Sequence, residues 1–115
     1  MPTTADALAL AGQLDGVEVH QNSRYRVLQV DGRTFGYVWE PTQTVGLRQT
    51  LVEQAALVGE RPEVFEVQFT VGGWGWVVVH LDGLDRDELA ELVFEAWRLT
   101  APDDLVTARG DRLPE

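Results

Sequence analysis

The hydrophobic pattern of the chain divides into strand-like and helix-like stretches. Its clearest element is Trp76 to Leu81, an apolar run behind the glycine-rich Gly72-Gly73-Trp74-Gly75. A run apolar at successive positions has no wet face, so this one is expected to be a central strand covered on both sides. Before it, Val67, Phe69 and Val71 alternate with Glu66, Gln68 and Thr70, the period of a half-buried strand. A type II′ turn at Gly73-Trp74 would pair Val71 with Trp76, Phe69 with Val78 and Val67 with His80.

Upstream, Arg24 to Val30 and Arg33 to Trp39 flank Asp31-Gly32, a dipeptide that accepts the positive φ angles of a type I′ hairpin turn. That turn sets Val30 opposite Arg33, Leu28 opposite Phe35, Arg26 opposite Tyr37 and Arg24 opposite Trp39. Arg24, Arg26, Arg33, Phe35, Tyr37 and Trp39 then share one face. Thr44 to Arg48 supplies a short further strand, and Val17 to Ser23 reads as a polar connector.

Three stretches carry helical periodicity. The first begins at a cap, Thr3 or Thr4, and runs to about Leu14 with Ala7, Leu10, Ala11 and Leu14 on its apolar stripe. The second opens with Thr50 and Glu53 as a capping box and runs to about Val58, with Leu51, Ala55 and Val58 inward and Gly59 as the stop. The third follows Asp85 and places Leu89, Leu92, Val93, Ala96 and Trp97 on one face, against Asp87, Glu88, Glu91, Glu95 and Arg98 on the other. Leu105 and Val106 are expected in a short final turn, and residues 109–115 as a flexible tail. The order predicts an α+β, two-layer sandwich: a mainly antiparallel sheet of about five strands, with helices packed on one face, in a single domain over residues 1–108.

Composition narrows the chemistry. With 115 residues and no cysteine, disulfides, thiolate metal sites and cysteine nucleophiles are excluded. All nine basic residues are arginine, which removes lysine chemistry. The net charge of −10 is uneven, since residues 20–48 hold four arginines against Asp31 and Glu40, while residues 49–115 hold fourteen acids against five arginines. No apolar stretch approaches the roughly 20 residues that span a bilayer, so a cytoplasmic, monomeric protein without a membrane role is expected. Ser23 near His20 reads as a polar turn, His80 near Asp82 falls short of a ligand set, and the acids from Asp82 to Glu95 read as a capped helix with a solvated face. No catalytic constellation, metal site or cofactor is expected.

Several segments resemble the YjbR/MmcQ-like family of small bacterial domains. They are Arg26-Val27, Phe35-Gly36, Leu47-Arg48, Pro62-Glu63-Val64-Phe65, Gly75 to Leu81 and Ala96 to Pro102. The resemblance implies a frataxin-like fold and, for function, DNA binding without catalysis. The chain departs from it after Pro102, where Asp103-Asp104 replace the basic residues that members often carry. The residues themselves offer an arginine–aromatic surface suited to stacking bases and neutralising phosphates: Arg24, Arg26, Arg33, Arg48, Tyr37, Trp39 and the hairpin-tip Trp74. The alternative is a protein-interaction or regulatory module without a nucleic-acid role.

Overall fold

The computed structural model describes residues 1–115. Its elements run α1 (Thr4–Gly12), β1 (Val17–Gln21), β2 (Arg26–Val30), β3 (Arg33–Trp39), β4 (Thr44–Leu47), α2 (Leu51–Glu60), β5 (Phe65–Val71), β6 (Trp74–His80), α3 (Arg86–Arg98) and α4 (Asp103–Arg109). The strands form one open sheet in the order β1-β2-β3-β4-β6-β5, antiparallel at every pairing. The two-layer α+β architecture is the expected one, with six strands instead of about five. The sixth is β1, within the expected connector. It is an edge strand whose residues after Val17 are all exposed, so neither hydrophobic period marks it.

α1 and α3 pack together against one face of the sheet, and Leu10, Leu28, Phe35, Leu47, Val77, Leu89 and Trp97 are sealed between the layers. Trp97 also bonds into the core, its Nε1 donating to the Asp15 carbonyl at 3.0 Å. The caps are where the sequence put them. Thr3 with Asp6 closes α1 as a capping box, Thr50 accepts from the Glu53 amide, and Asp85 accepts from the Glu88 amide.

Register is where the chain departs from expectation. Val30 pairs with Arg33 as the Asp31-Gly32 turn requires, but Leu28 pairs with Gly36 and Arg26 with Val38. Phe35 is therefore an extra residue, a β-bulge that moves every later side chain of β3 to the opposite face. Phe35 and Val38 enter the core, while Tyr37 and Trp39 turn away from the helices. At Gly36 a Cβ would lie 3.0 Å from Leu28 Cδ1 and 3.1 Å from Leu47 Cδ2, so only glycine fits there without displacing core side chains.

The β5–β6 turn is Gly72-Gly73, with φ of 57° and 83°, and not the expected Gly73-Trp74. Two adjacent positive φ values suit a hairpin turn of primed type. Val71 consequently pairs with Trp74 and Phe69 with Trp76, and a second bulge leaves Gln68 unpaired between Val67 and Phe69. β5 is not the half-buried strand its alternation suggested: Val67 and Val71 are each 56% exposed at the sheet edge.

α2 continues through Gly59 to Glu60, and its buried residue is Gln54, while Leu51 and Ala55 face solvent. Gln54 Nε2 donates to the Trp76 carbonyl at 2.9 Å and to the Phe69 carbonyl at 3.3 Å. A Cβ at Gly75 would lie 2.6 Å from Gln54 Cβ, so the glycine lets α2 approach the sheet. α4 is a helix of seven residues and not a short turn. Beyond it the chain lies along α1, with Pro114 buried, the Glu115 amide donating to Gln13 Oε1 and Arg109 Nη1 donating to the Gln13 carbonyl.

Candidate nucleic-acid interface

All helices lie on one side of the sheet, and the other side is covered only by its own side chains. This corrects the expectation that both faces of Trp76–Leu81 lie under other elements. Val77, Val79 and Leu81 are sealed beneath the helices, whereas Trp76, Val78 and His80 belong to the open face. Trp76 is nonetheless only 6% exposed, because aromatic neighbours crowd it from both flanks.

Those neighbours form a continuous row. Trp39 stacks on Tyr37 with centroids 5.8 Å apart, and Tyr25 meets the edge of Tyr37 at 5.7 Å. Tyr37 meets Trp76 at 5.6 Å, and Trp76 stacks on Phe69 at 5.1 Å. Tyr37 and Trp76 sit on strands separated by β4, about 10 Å apart by ordinary strand spacing. They meet because the residue between them is Gly46, which pairs with Tyr37 on one side and Val78 on the other. A Cβ at Gly46 would overlap the Gln68 carboxamide and the Trp39 ring. Burial within the row raises the Tyr37 hydroxyl above its ordinary pKa, and the nearby Tyr25 adds to the shift.

The seven residues singled out in the sequence fall into separate groups. Tyr37 and Trp39 lie at the centre of the row. Arg24 is exposed in the β1–β2 turn and shares a shallow groove of about 360 Å³ with Trp39, Pro41, Thr42, Thr44 and Val78. Arg26 is set apart, pairing with Glu40 at 3.7 Å. Arg48 and Trp74 lie together at the other end of the sheet, the guanidinium 4.2 Å from the ring centroid. Arg33, at the start of β3, adds its charge to theirs. The bulge at Phe35 is why the arginines and aromatics do not share one face.

Tyr25, Trp76 and Phe69 complete the row although sequence reasoning did not place them there. Trp76 read as core within an apolar run and Phe69 as the inward side of a half-buried strand, and Tyr25 stood on the opposite face of the hairpin until the bulge reversed it. Of the two histidines, His80 lies 3.3 Å from Glu66 on β5, and His20 lies 3.7 Å from Glu18.

Charge is segregated between the layers. The strands and the turns that join them hold three arginines (Arg24, Arg26, Arg33) against four acids (Glu18, Asp31, Glu40, Glu66), with Arg48 just beyond β4. A formal charge of −9 therefore resides on the helices, their connectors and the chain ends. No helix is long and apolar enough to cross a membrane.

Comparison with known proteins agrees with this architecture. A crystal structure of the Deinococcus radiodurans protein DR2400, described by its family-model domain DUF419, superposes with a TM-score of 0.76 at 19% identity, over 97% of this chain and 83% of that one. This likeness concerns the fold alone. No curated protein matches the sequence. The YjbR family model matches residues 12–99, a span from the end of α1 to just past the end of α3 that includes all six strands. The chain belongs to the YjbR family.

Proposed function

We propose that this protein binds single-stranded nucleic acid on the open face of its sheet and catalyses no reaction. The observation that carries the reading is the row Trp39–Tyr37–Trp76–Phe69 on the open face of the sheet, which offers solvent the partly exposed rings of Trp39, Tyr37 and Phe69 around a buried Trp76. Bases stack on such rings with little regard to sequence, each worth about 1–3 kcal/mol. Most of the chain's negative charge lies on the helices and chain ends, with Glu18 and Glu66 on the open face, so it opposes a polyanion there less than the total suggests. Only Arg24, Arg33 and Arg48 are free to meet phosphates, since Arg26 is paired. Binding is therefore expected to be dominated by stacking, with a shallow log–log salt slope of about −2.

The test is quenching of tryptophan fluorescence by oligothymidylate at low salt. Saturable quenching is expected, and Trp39→Ala should weaken it by about 5- to 150-fold, the span of one lost base stack. Trp39 is not part of the sealed core, and circular dichroism of the variant checks that it is folded. Absence of saturable binding at micromolar concentrations in low salt refutes the reading. A protein-interaction role is favoured instead by one observation, the exposed Val67, Phe69 and Val71 on edge strand β5. Stoichiometric capture of a protein partner that is lost on Val67→Asp, with no oligonucleotide binding, selects it.

A further inference from the structure

Arg48 is held in place without a counter-charge. Trp74 lies 4.2 Å from its guanidinium, and Nη1 donates to Thr100 Oγ1 at 3.3 Å, an oxygen whose own proton goes to the Ala96 carbonyl at 2.9 Å. Its backbone amide is fixed to the Phe35 carbonyl at 3.1 Å. Its Nε–H is buried with no acceptor. The ion pairs of the fold use Arg26, Arg61, Arg86 and Arg98, and neither Arg33 nor Arg48 enters one. Burial and the positive charge of Arg33 both push the Arg48 guanidinium below its ordinary pKa. In a chain with nineteen acids, a half-buried arginine without a carboxylate partner is an uncompensated cost, and Arg33 stands two residues before Phe35, whose carbonyl holds the Arg48 amide. Arg48 is also pre-aimed by three different elements, which a merely solvated surface arginine is not.

We infer that Arg33 and Arg48, beside Trp74, form a binding site for a phosphate-type oxyanion. The anion meets the solvent-facing edge of the half-buried Arg48 guanidinium and offsets the repulsion between two guanidinium groups, whose planar forks suit phosphate oxygens. For the source of the anion the inference rests on the preceding reading: a nucleic-acid strand lying along the open face brings a backbone phosphate to this end of the sheet. Free phosphate carries the same chemistry.

The experiment titrates the intact protein with sodium phosphate against sodium chloride at matched ionic strength, reading tryptophan fluorescence. It then measures oligothymidylate binding across salt concentrations. Wild type is expected to show a saturable response to phosphate alone, and Arg33→Gln and Arg48→Gln should each weaken it about tenfold or more. Arg33 is exposed, so its variant keeps the test valid even if Arg48→Gln loses stability. If the anion is a backbone phosphate, each variant also flattens the salt slope for oligothymidylate by about 0.7 while binding persists through the aromatic row. Saturable phosphate binding without oligonucleotide binding supports this site with free phosphate as its ligand, and refutes only the nucleic-acid reading. No phosphate response beyond chloride, with an unchanged salt slope in both variants, overturns the site even where the oligonucleotide binds.

Discussion

Gln54→Ala tests how the aromatic row is held. The side chain crosses from α2 to the backbone beneath Trp76 and Phe69, making two hydrogen bonds from one amide at 2.9 and 3.3 Å. Removing it forfeits two bonds worth about 1 kcal/mol each. The one buried methylene that the change removes adds about 0.8 kcal/mol to the loss. Freeing a glutamine side chain of its ordering returns about 1.5 kcal/mol. The net cost is about 1.3 kcal/mol. For a chain of 115 residues, an unfolding entropy of about 2.1 cal/mol/K per residue converts that into a fall of about 5 °C in Tm. Circular dichroism through the thermal transition gives the number, and tryptophan emission before the transition reports the surroundings of Trp76. A Tm within about 2 °C of wild type for Gln54→Ala, less than 0.5 kcal/mol on the same conversion, refutes the account of α2 as the row's support.

Other outcomes follow from single contacts. Asp6 sits below the ordinary carboxylate value of 3.8 chiefly because it accepts from the Thr3 backbone amide, with further help from the Thr3 hydroxyl and Arg86. A depressed carboxylate stabilises above its unfolded pKa and loses that contribution as pH falls through the folded one, so Asp6→Asn should be less stable than wild type at neutral pH, with the difference shrinking in urea titrations as pH falls below 3.8. Gly73→Ala meets no atom within 4 Å, so its cost is that of φ +83° alone, about 1–2 kcal/mol by chemical denaturation. Gly46→Val drives a branched side chain into the Gln68 carboxamide and the Trp39 ring, and should weaken oligothymidylate binding more than Gly32→Ala, which lies at a turn with open space around it.

Helix α3 was legible because its information is local. Asp85, Glu88 and the period of Leu89, Val93, Ala96 and Trp97 are all set within one segment, and the helix forms where they predict it. The hairpin turns were legible as glycine-bearing pairs, although the choice between Gly72-Gly73 and Gly73-Trp74 depends on a two-residue shift that alternation cannot detect. β1 was invisible because an edge strand with one inward residue has no period to read. Gln54 was hidden for a different reason: a polar residue on a helix reads as solvent-facing unless one knows that a glycine, Gly75, lies beneath it. The candidate site was half legible. Tyr37, Trp39 and Trp74 were named from composition, whereas Tyr25, Phe69 and Trp76 joined them only through pairing between strands distant in sequence.

The bulge at Phe35 explains why one strand serves both layers. With regular pairing, Phe35, Tyr37 and Trp39 would project together, leaving Gly36 and Val38 for the other side. Directed inward, the two larger rings would have to fit a core already closed by α1 and α3. Directed outward, Phe35 would leave a void among Leu28, Leu47 and the helices. The extra residue resolves this by giving Phe35 and Val38 to the core and Tyr37 and Trp39 to the open face. The smallness of Gly36 makes the change of phase possible, and that of Gly46 lets the outward rings join Trp76 across β4. Bulges and glycines weaken a sheet that needs only to be a lid for helices. Here each has a specific consequence: the bulge and Gly36 fit Phe35 and Val38 into the core, and the same change of phase sets Tyr37 and Trp39 in the aromatic row.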